Sequence, residues 1–442
     1  MRPLCLRGAD VTATSTEEAS LRTESRKHGV IQTVRRLGWG VADQGISSVS
    51  NFALGLFVAR SFGASSFGAF TLAFITYTVV INASRGLATD PLLVRYSGRV
   101  GRRWRSATSA ATGTALAVGV AAGVLCVVAG LLLPDQVGPV FIALGIGLPG
   151  LALQDSWRFA FFACGRGSAA FLNDLFWTVL LFASLFVLHG WGDSPAHCLL
   201  AFGATATLAA LFGMVQARTL PRPFRAVEWL HTHRELSVRY LIENVSISGA
   251  SQLRSFVVGA VAGLAAVGYV RASEILMGPF IVVLMGISQV AVPEASRVFH
   301  KESRHLARFC FILGGAQAAA AIVWGAILLT VFPLGPGPAL LKELWMPTAQ
   351  LIPAITLTVA AASFTTAATA GLRAMGLARR SLRAQLTGSV AYVVCGSVGA
   401  ILGGAVGTSW GVTVAQTFAA LVWWHQLRSA LANHHAMPEV AR

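Results

Sequence analysis

DQGISSVSN, residues 43–51, returns as ENVSISGAS at residues 243–251, and this echo decides how the chain is built. At an offset of 200 it pairs Asp43 with Glu243, Gln44 with Asn244, Ser48 with Ser248 and Asn51 with Ser251. The same offset pairs Gly63 with Gly263 and Gly68 with Gly268. Pro91 and Arg95 then match Pro293 and Arg297 at an offset of 202, and ACGRGSAAFLNDL (163–175) is similar to AMGLARRSLRAQL (374–386) at 211. Four correspondences at a slowly drifting offset point to an internal duplication.

Each polar stretch is embedded in a segment otherwise fit to cross a membrane; the first sits in LGWGVADQGISSVSNFALGLFVA, residues 37–59. The whole 442-residue chain is 55% hydrophobic and 12% charged, with a mean hydropathy of +0.66. That composition excludes an ordinary soluble domain. A helix needs about 20 apolar residues to cross the hydrocarbon layer. Twelve such spans are expected, at 37–59, 67–90, 107–133, 139–164, 168–189, 197–217, 240–262, 267–293, 309–331, 347–371, 384–403 and 405–426. The expected fold is therefore an all-α polytopic membrane protein of about twelve transmembrane helices. An even number of spans separates the repeated stretches, so the two six-helix halves are parallel repeats around a central cavity. The expected division is a disordered cytosolic tail (1–36), an N-terminal half (37–217), a cytosolic linker (218–239), a C-terminal half (240–426) and a C-terminal tail (427–442).

The 34 Lys and Arg against 18 Asp and Glu give a net charge of +16. In a soluble protein that excess would point to nucleic acid. Here 28 of the 34 cations fall in the two tails and in alternate breaks such as RYSGRVGRRWR (95–105) and LRAMGLARRSLR (372–383). By the positive-inside rule those segments face the cytosol, with both termini; Arg greatly outnumbers Lys, and Ala, Gly and Val abound, which suggests a GC-rich bacterial genome and so a bacterial plasma membrane. The charge is topogenic, and no nucleic-acid partner is implied.

Charged residues in the middle of a spanning helix cost about 2.5–3.5 kcal/mol each on the insertion scale, so they face the bundle interior or a wet cavity. Asp43, Ser47 and Asn51 recur at i, i+4 and i+8 and share a helix face. Asp155 with Arg158 and Arg271 with Glu274 stand at i, i+3, and Arg239 with Glu243 at i, i+4, the spacing of local ion pairs. Arg85 and Arg254 have no acid three or four residues away, so each needs a partner on another helix, in water or in a substrate. The planar guanidinium fork suits phosphate. Arg85, Arg158 and Arg254 are accordingly the candidates for an anion-binding chamber, with Asp155, Arg271 and Glu274 as secondary candidates. Asp43 and Glu243 lie about two turns from the cytosolic ends of their helices and, with Asn51, are candidates for a cytosolic gate or for an H⁺ or Na⁺ coupling site.

No catalytic constellation, metal-ligand spacing or P-loop is present, and no cofactor is implied. The longest break on the non-cytosolic side, FPLGPGPALLKELWM (332–346), leaves no room for the catalytic domain of a membrane glycosyltransferase.

SNFALGLFVARSFGASSFGAF (50–70), the Pro-x-x-x-Arg ends at Pro91 and Pro293, and LQDSWRFAFFACGRGSAAFLND (153–174) resemble the multidrug, oligosaccharidyl-lipid and polysaccharide exporter superfamily, in its polysaccharide-exporter (O-antigen flippase-like) branch. The resemblance implies two halves enclosing a central cavity and a polyprenyl-pyrophosphate-linked oligosaccharide as substrate, moved across the plasma membrane by alternating access. It also implies membrane glycosyltransferases or a polymerase as possible partners. Arg85, Arg158 and Arg254 look like the cationic cavity of such flippases. The alternatives are a multidrug exporter of the same superfamily, whose pocket would be acidic and aromatic, and a non-transporting membrane scaffold of a polysaccharide assembly complex.

Overall fold

The computed structural model describes Trp39 and residues 42–97, 101–188 and 194–436. Within these, the side chains of residues 243, 246–248, 250, 251, 282–290, 292, 293, 378, 435 and 436 fall outside the description. The expected tail 1–36 also lies outside it.

Among the described residues the protein is all-helical, a multi-pass membrane protein with twelve long helices in two halves. The first half comprises α1 (42–61), α2 (Ala64–Tyr96), α3 (Gly101–Leu132), α4 (Gly138–Ala163), α5 (Gly167–Leu188) and α6 (Pro195–Ala217). The second comprises α7 (Arg234–Ala262), α8 (Leu264–Lys301), α9 (Leu306–Thr330) and α10 (Ile352–Ala374), then α11 and α12, which share the stretch Ala378–Ala436. That last stretch breaks at Gly403 and Gly404, where the backbone leaves the helical region. This is where the sequence separates spans 384–403 and 405–426. Beyond the break α11 and α12 fold back tightly: a Cβ on Gly399 would lie 2.1 Å from the Gly407 carbonyl oxygen, and one on Gly411 2.1 Å from that of Cys395.

Among the described residues, nine helices are long and apolar enough to span a membrane when the broken stretch counts as one. The two long helices outside that set, α1 and α7, are those carrying the repeated polar stretch. Helix ends run past the hydropathy boundaries at several places, α8 to Lys301 among them. α7 begins at Arg234 rather than near residue 240, and α12 runs to Ala436 rather than 426. Hydropathy marks where the hydrocarbon ends, whereas helical hydrogen bonding continues as long as one face is covered. On α12 that cover comes from Leu427, Ala430 and Leu431 packed with Leu306 and Leu372. At the start of α7, the Ser237 hydroxyl donates to the Leu87 carbonyl at 3.1 Å.

The duplication is visible in the backbone. Between α4 and α5 the chain turns through Gly165 at φ +75°, and between α10 and α11 through Gly376 at φ +72°. The hydrogen bonds match at an offset of 211: Gly165 N–H to Phe162 and Arg166 N–H to Phe161 in one half, Gly376 N–H to Arg373 and Leu377 N–H to Leu372 in the other. These are helix C-caps closed by a left-handed glycine, which carries no Cβ penalty there.

The halves meet along α2 and α8, which cross at their first turns. A Cβ on Gly68 would stand 1.8 Å from the Leu264 carbonyl oxygen, and one on Gly268 2.5 Å from that of Ala64. Those four residues are two pairs at the 200-residue offset, so the crossing is a pseudo-twofold contact of backbone on backbone, the small-residue packing expected where no hydrophobic force separates helix from lipid. Gly68→Ala is expected to force α2 and α8 apart and to cost about 1–3 kcal/mol, the range for overpacking a close contact. Thermal denaturation of the detergent-solubilised protein reads this, and an unchanged midpoint would contradict the crossing.

At the arginine-rich end α2 is interrupted by a π-helical turn, Arg85–Thr89, before it continues as Asp90–Tyr96. π-Turns inside α-helices often mark functional segments. Here the turn brings Gly86 so close to α7 that a Cβ would meet the backbone of Tyr240 and Leu241 at 2.6–2.8 Å.

The segment joining the halves is ordered by α3. Ser109 Oγ donates to the Leu220 carbonyl at 2.6 Å, and Arg222 N–H to the Ser109 carbonyl at 2.9 Å. A short helix, Ala226–Thr232, then seats Trp229 and His233 against Tyr96, with the Trp229 and His233 rings 4.0 Å apart. Burial, with nearby Arg95 adding to it, lowers the His233 pKa below the ordinary value, although Nδ1 bonds the Trp229 carbonyl. Neutral imidazole is the folded form, so this packing is at full strength above the free-histidine pKa and weakens as pH falls through the lowered one. Protease nicking of the linker is therefore expected to rise on acidification below about pH 6.5, and His233→Gln should remove that dependence. A wild-type profile flat with pH would refute it.

Candidate functional site

Between the halves lies a cavity of about 470 Å³. α1 contributes Gln44, Ser48, Asn51 and Phe52; α7 contributes Arg254; α8 contributes Arg271, Glu274 and Gly278; Thr358, Tyr392 and Ser409 come from α10, α11 and α12. Gln44, Ser48 and Asn51 stand at i, i+4 and i+7, one polar stripe of a helix. The expected stripe of Asp43, Ser47 and Asn51 is thus turned by one residue at its start, because Asp43 itself is fully buried.

The charged wall of the cavity is a triad. Arg254 Nη2 lies 3.0 Å from Glu274 Oε1, and Arg271 Nη1 lies 3.2 Å from Glu274 Oε2. The Arg271–Glu274 pair is the one expected from i, i+3 spacing, and Arg254 finds its carboxylate on the next helix. Arg254 is pinned, its side chain 5% exposed and its guanidinium 5.1 Å from the Tyr392 ring centroid. Arg271 and Glu274 retain 32% and 30%. Arg271 also stacks on Phe74 of α2 at 5.8 Å and so reaches across to the first half. Two cations and one carboxylate leave the wall with a net positive charge.

Arg85 and Arg158 occupy a different place, inside the first half around α4, the most buried of the spanning helices. Small residues let α4 sit there: a Cβ on Gly147 would lie 2.9 Å from Gly203 Cα of α6. Arg158 Nε donates to Asp43 Oδ2 of α1 at 2.5 Å and lies 3.6 Å from Asp174 Oδ2 of α5. Its Nη2 reaches Gln44 Oε1 at 3.3 Å, the link from this cluster to the cavity stripe. Asp174 also accepts from Gln154 at 2.8 Å. Arg85 holds Asp155 through two parallel bonds of 2.9 and 2.6 Å and stacks on Phe159 at 4.9 Å. Asp155 therefore pairs with Arg85 and not with Arg158, its neighbour at i+3. Three carboxylates and two guanidiniums are thus paired off among α1, α2, α4 and α5, Arg85 with Asp155 and Arg158 with Asp43 and Asp174. The three arginines expected in one chamber fall in two groups, and of them the cavity lining contains Arg254.

A third polar contact closes the arginine-rich end of the seam. Asn244 of α7 donates to Asp90 Oδ2 at 2.8 Å and to the Asn82 carbonyl at 3.2 Å, both on α2. Asn244 is the repeat partner of Gln44, so one duplicated amide bridges the halves while the other faces the cavity. Asp43 is turned into its own half against Arg158, and the side chain of Glu243 lies outside the described residues.

Asp90, Asp174 and Tyr392 were not singled out from sequence. Asp174 lies inside the fifth span, FLNDLFW, but has no cation at i±3 or i±4; only the approach of α4 supplies Gln154 and Arg158. Asp90 sits at a predicted span end, where a carboxylate is unremarkable until the π-turn aims it at α7.

No family model matches the sequence, and no curated protein matches it. Solved structures match over most of the chain. An inward-facing multidrug resistance MATE family transporter of the MOP superfamily is 14% identical, with a TM-score of 0.66 over 87% of this chain and 94% of that one. The lipid II flippase MurJ, in an inward closed conformation, is 9% identical, with a TM-score of 0.67 over 89% and 87%. The chain has the fold of the MOP superfamily. An outward-facing MATE family transporter superposes less well, with a TM-score of 0.57 at 14% identity over 92% and 96%. The MOP fold carries twelve helices in two halves, in agreement with the arrangement expected from the duplicated stretches.

Proposed function

We propose that the protein is a flippase for a polyprenyl-pyrophosphate-linked oligosaccharide, working by alternating access between its two halves in a bacterial plasma membrane. The observation that carries this reading is the cavity wall of Arg254, Arg271 and Glu274, positively charged and lying between the halves opposite the polar stripe of Gln44, Ser48 and Asn51. Guanidinium forks match the diphosphate, the amide and hydroxyl stripe matches sugar hydroxyls, and the polyprenyl tail stays in the bilayer. The halves are residues 37–217 and 240–426, with the arginine-rich linker 218–239 and both tails on the cytosolic side. In this reading Asp90 and Asn244 form a cytosolic latch, and the Gly68 and Gly268 crossing closes the outer end. The buried Asp43, Arg158 and Asp174 cluster serves as the rigid body of the first half, with Arg158 supplying the cation beside those two carboxylates.

A multidrug exporter is the second reading, favoured by Glu274 and the nearby Tyr392 and Phe52 rings. Two arginines against that single carboxylate make the wall repel cationic drugs. The deciding experiment is reconstitution in proteoliposomes with a fluorescent polyprenyl-pyrophosphate sugar and, separately, a cationic dye. Inward-to-outward movement of the lipid, lost in Arg254→Ala/Arg271→Ala, supports the flippase. Dye transport with no lipid movement overturns it.

A further inference from the structure

We infer that the first half carries a second, peripheral anion site that holds the head group of an anionic phospholipid at the arginine-rich face. Three arginines from separate elements converge on a cavity of about 560 Å³: Arg105 at the start of α3, Arg166 in the turn between α4 and α5, and Arg218 at the end of α6. Its lining contains no carboxylate. Among the described residues none of the three forms a salt bridge, whereas Arg85, Arg158, Arg254 and Arg271 all do.

The three are placed rather than left to wander. Arg166 stacks on Phe161 at 5.5 Å and donates to the Gln216 carbonyl at 3.4 Å. Arg218 caps α6 in the left-handed region at φ 50°, uncommon for a residue with a Cβ. Three cations beside one another without a carboxylate repel, and a phosphate that they share removes that cost.

The surroundings choose between a lipid and a free phosphate. Val215, 72% exposed, lines the cavity itself. From it an exposed apolar surface of Leu211, Leu208 and Phe176 runs away along α6 and α5, and Phe176 stacks on Phe212 at 4.9 Å. A phosphate at the arginines therefore places an attached acyl chain on that surface. Basic pockets between helix ends at the charged side of a membrane protein have the chemistry to hold anionic head groups. The site is separate from the cavity between the halves, and the inference does not depend on what that cavity carries.

The test is native mass spectrometry of the full-length protein in detergent, titrated in turn with dioleoyl phosphatidylglycerol, dioleoyl phosphatidylcholine and inorganic phosphate. The first should bind at least tenfold more tightly than the second, with inorganic phosphate a weak competitor. At about fivefold per arginine at a membrane surface, Arg105→Ala/Arg166→Ala/Arg218→Gly should weaken phosphatidylglycerol binding by on the order of a hundredfold. Glycine suits the left-handed backbone at 218, so the variant keeps its α6 cap. The control Arg373→Ala/Arg379→Ala/Arg383→Ala removes the same charge from the other half and should leave binding within twofold of wild type. Equal loss in both variants, or equal affinity for the two lipids, overturns the site. Inorganic phosphate that binds as tightly as phosphatidylglycerol overturns the lipid assignment.

Discussion

Arg158→Ala is expected to leave little folded protein. The substitution removes the cation between Asp43 and Asp174, whose side chains are 0% and 3% exposed, and leaves two carboxylates facing each other inside the bundle. Breaking a buried ion pair by deleting one partner costs about 3–5 kcal/mol, a large part of the 5–15 kcal/mol by which proteins are usually stable. Size-exclusion chromatography in mild detergent should show a monodisperse peak for wild type and mostly aggregate for the variant. Because the damage comes from the stranded charges, Asp43→Asn/Arg158→Gln should recover most of the peak, Asp174 keeping its bond from Gln154. A single variant as stable as wild type would show that the cluster is not the framework of the first half.

Arg254→Ala/Arg271→Ala should have the opposite profile, with folding kept and transport lost. Removing both cations leaves Glu274, which is 30% exposed and lies against the cavity, so little uncompensated charge is buried. Each charge-assisted hydrogen bond to a phosphate is worth about 1.5–3 kcal/mol, or roughly tenfold to a hundredfold in rate or affinity. The double variant is expected to move the pyrophosphate-linked lipid at least a hundredfold more slowly. Arg254→Lys, with a point charge in place of the fork, should fall between. Arg254 and Arg271 variants that transport normally in flux assays would remove the cavity wall from the mechanism.

These two profiles separate arginines that looked alike in the sequence. Hydropathy located twelve spans, and the repeat of DQGISSVSN paired the halves, because both depend on local pattern and chain order. Arg85 and Arg254 were legible as residues needing a partner on another helix, and Asp155 and Glu274 answer that need. Their division into a buried cluster and a cavity wall was not legible. Whether a guanidinium one turn along a helix points inward or into the seam depends on helix rotation of a few tens of degrees. For α4, which carries Arg158, the close backbone approach of Gly147 to Gly203 bears on that rotation, and no i, i+3 or i, i+4 rule reports it. Asp155 shows the limit: its neighbour Arg158 has the right spacing, yet Arg85, 70 residues away, takes the bond.

The crossing of α2 and α8 constrains how this gene can change. At Gly68 the atom that a side chain would strike is the Leu264 carbonyl oxygen, and at Gly268 it is that of Ala64. Both are main chain, the one part of a protein that no codon can shrink. A larger residue at 68 therefore cannot be rescued by a smaller one at 268, although the two came from one ancestral position. Each copy inherited its own veto, and the two halves are free to diverge in their charges while neither can give up its glycine.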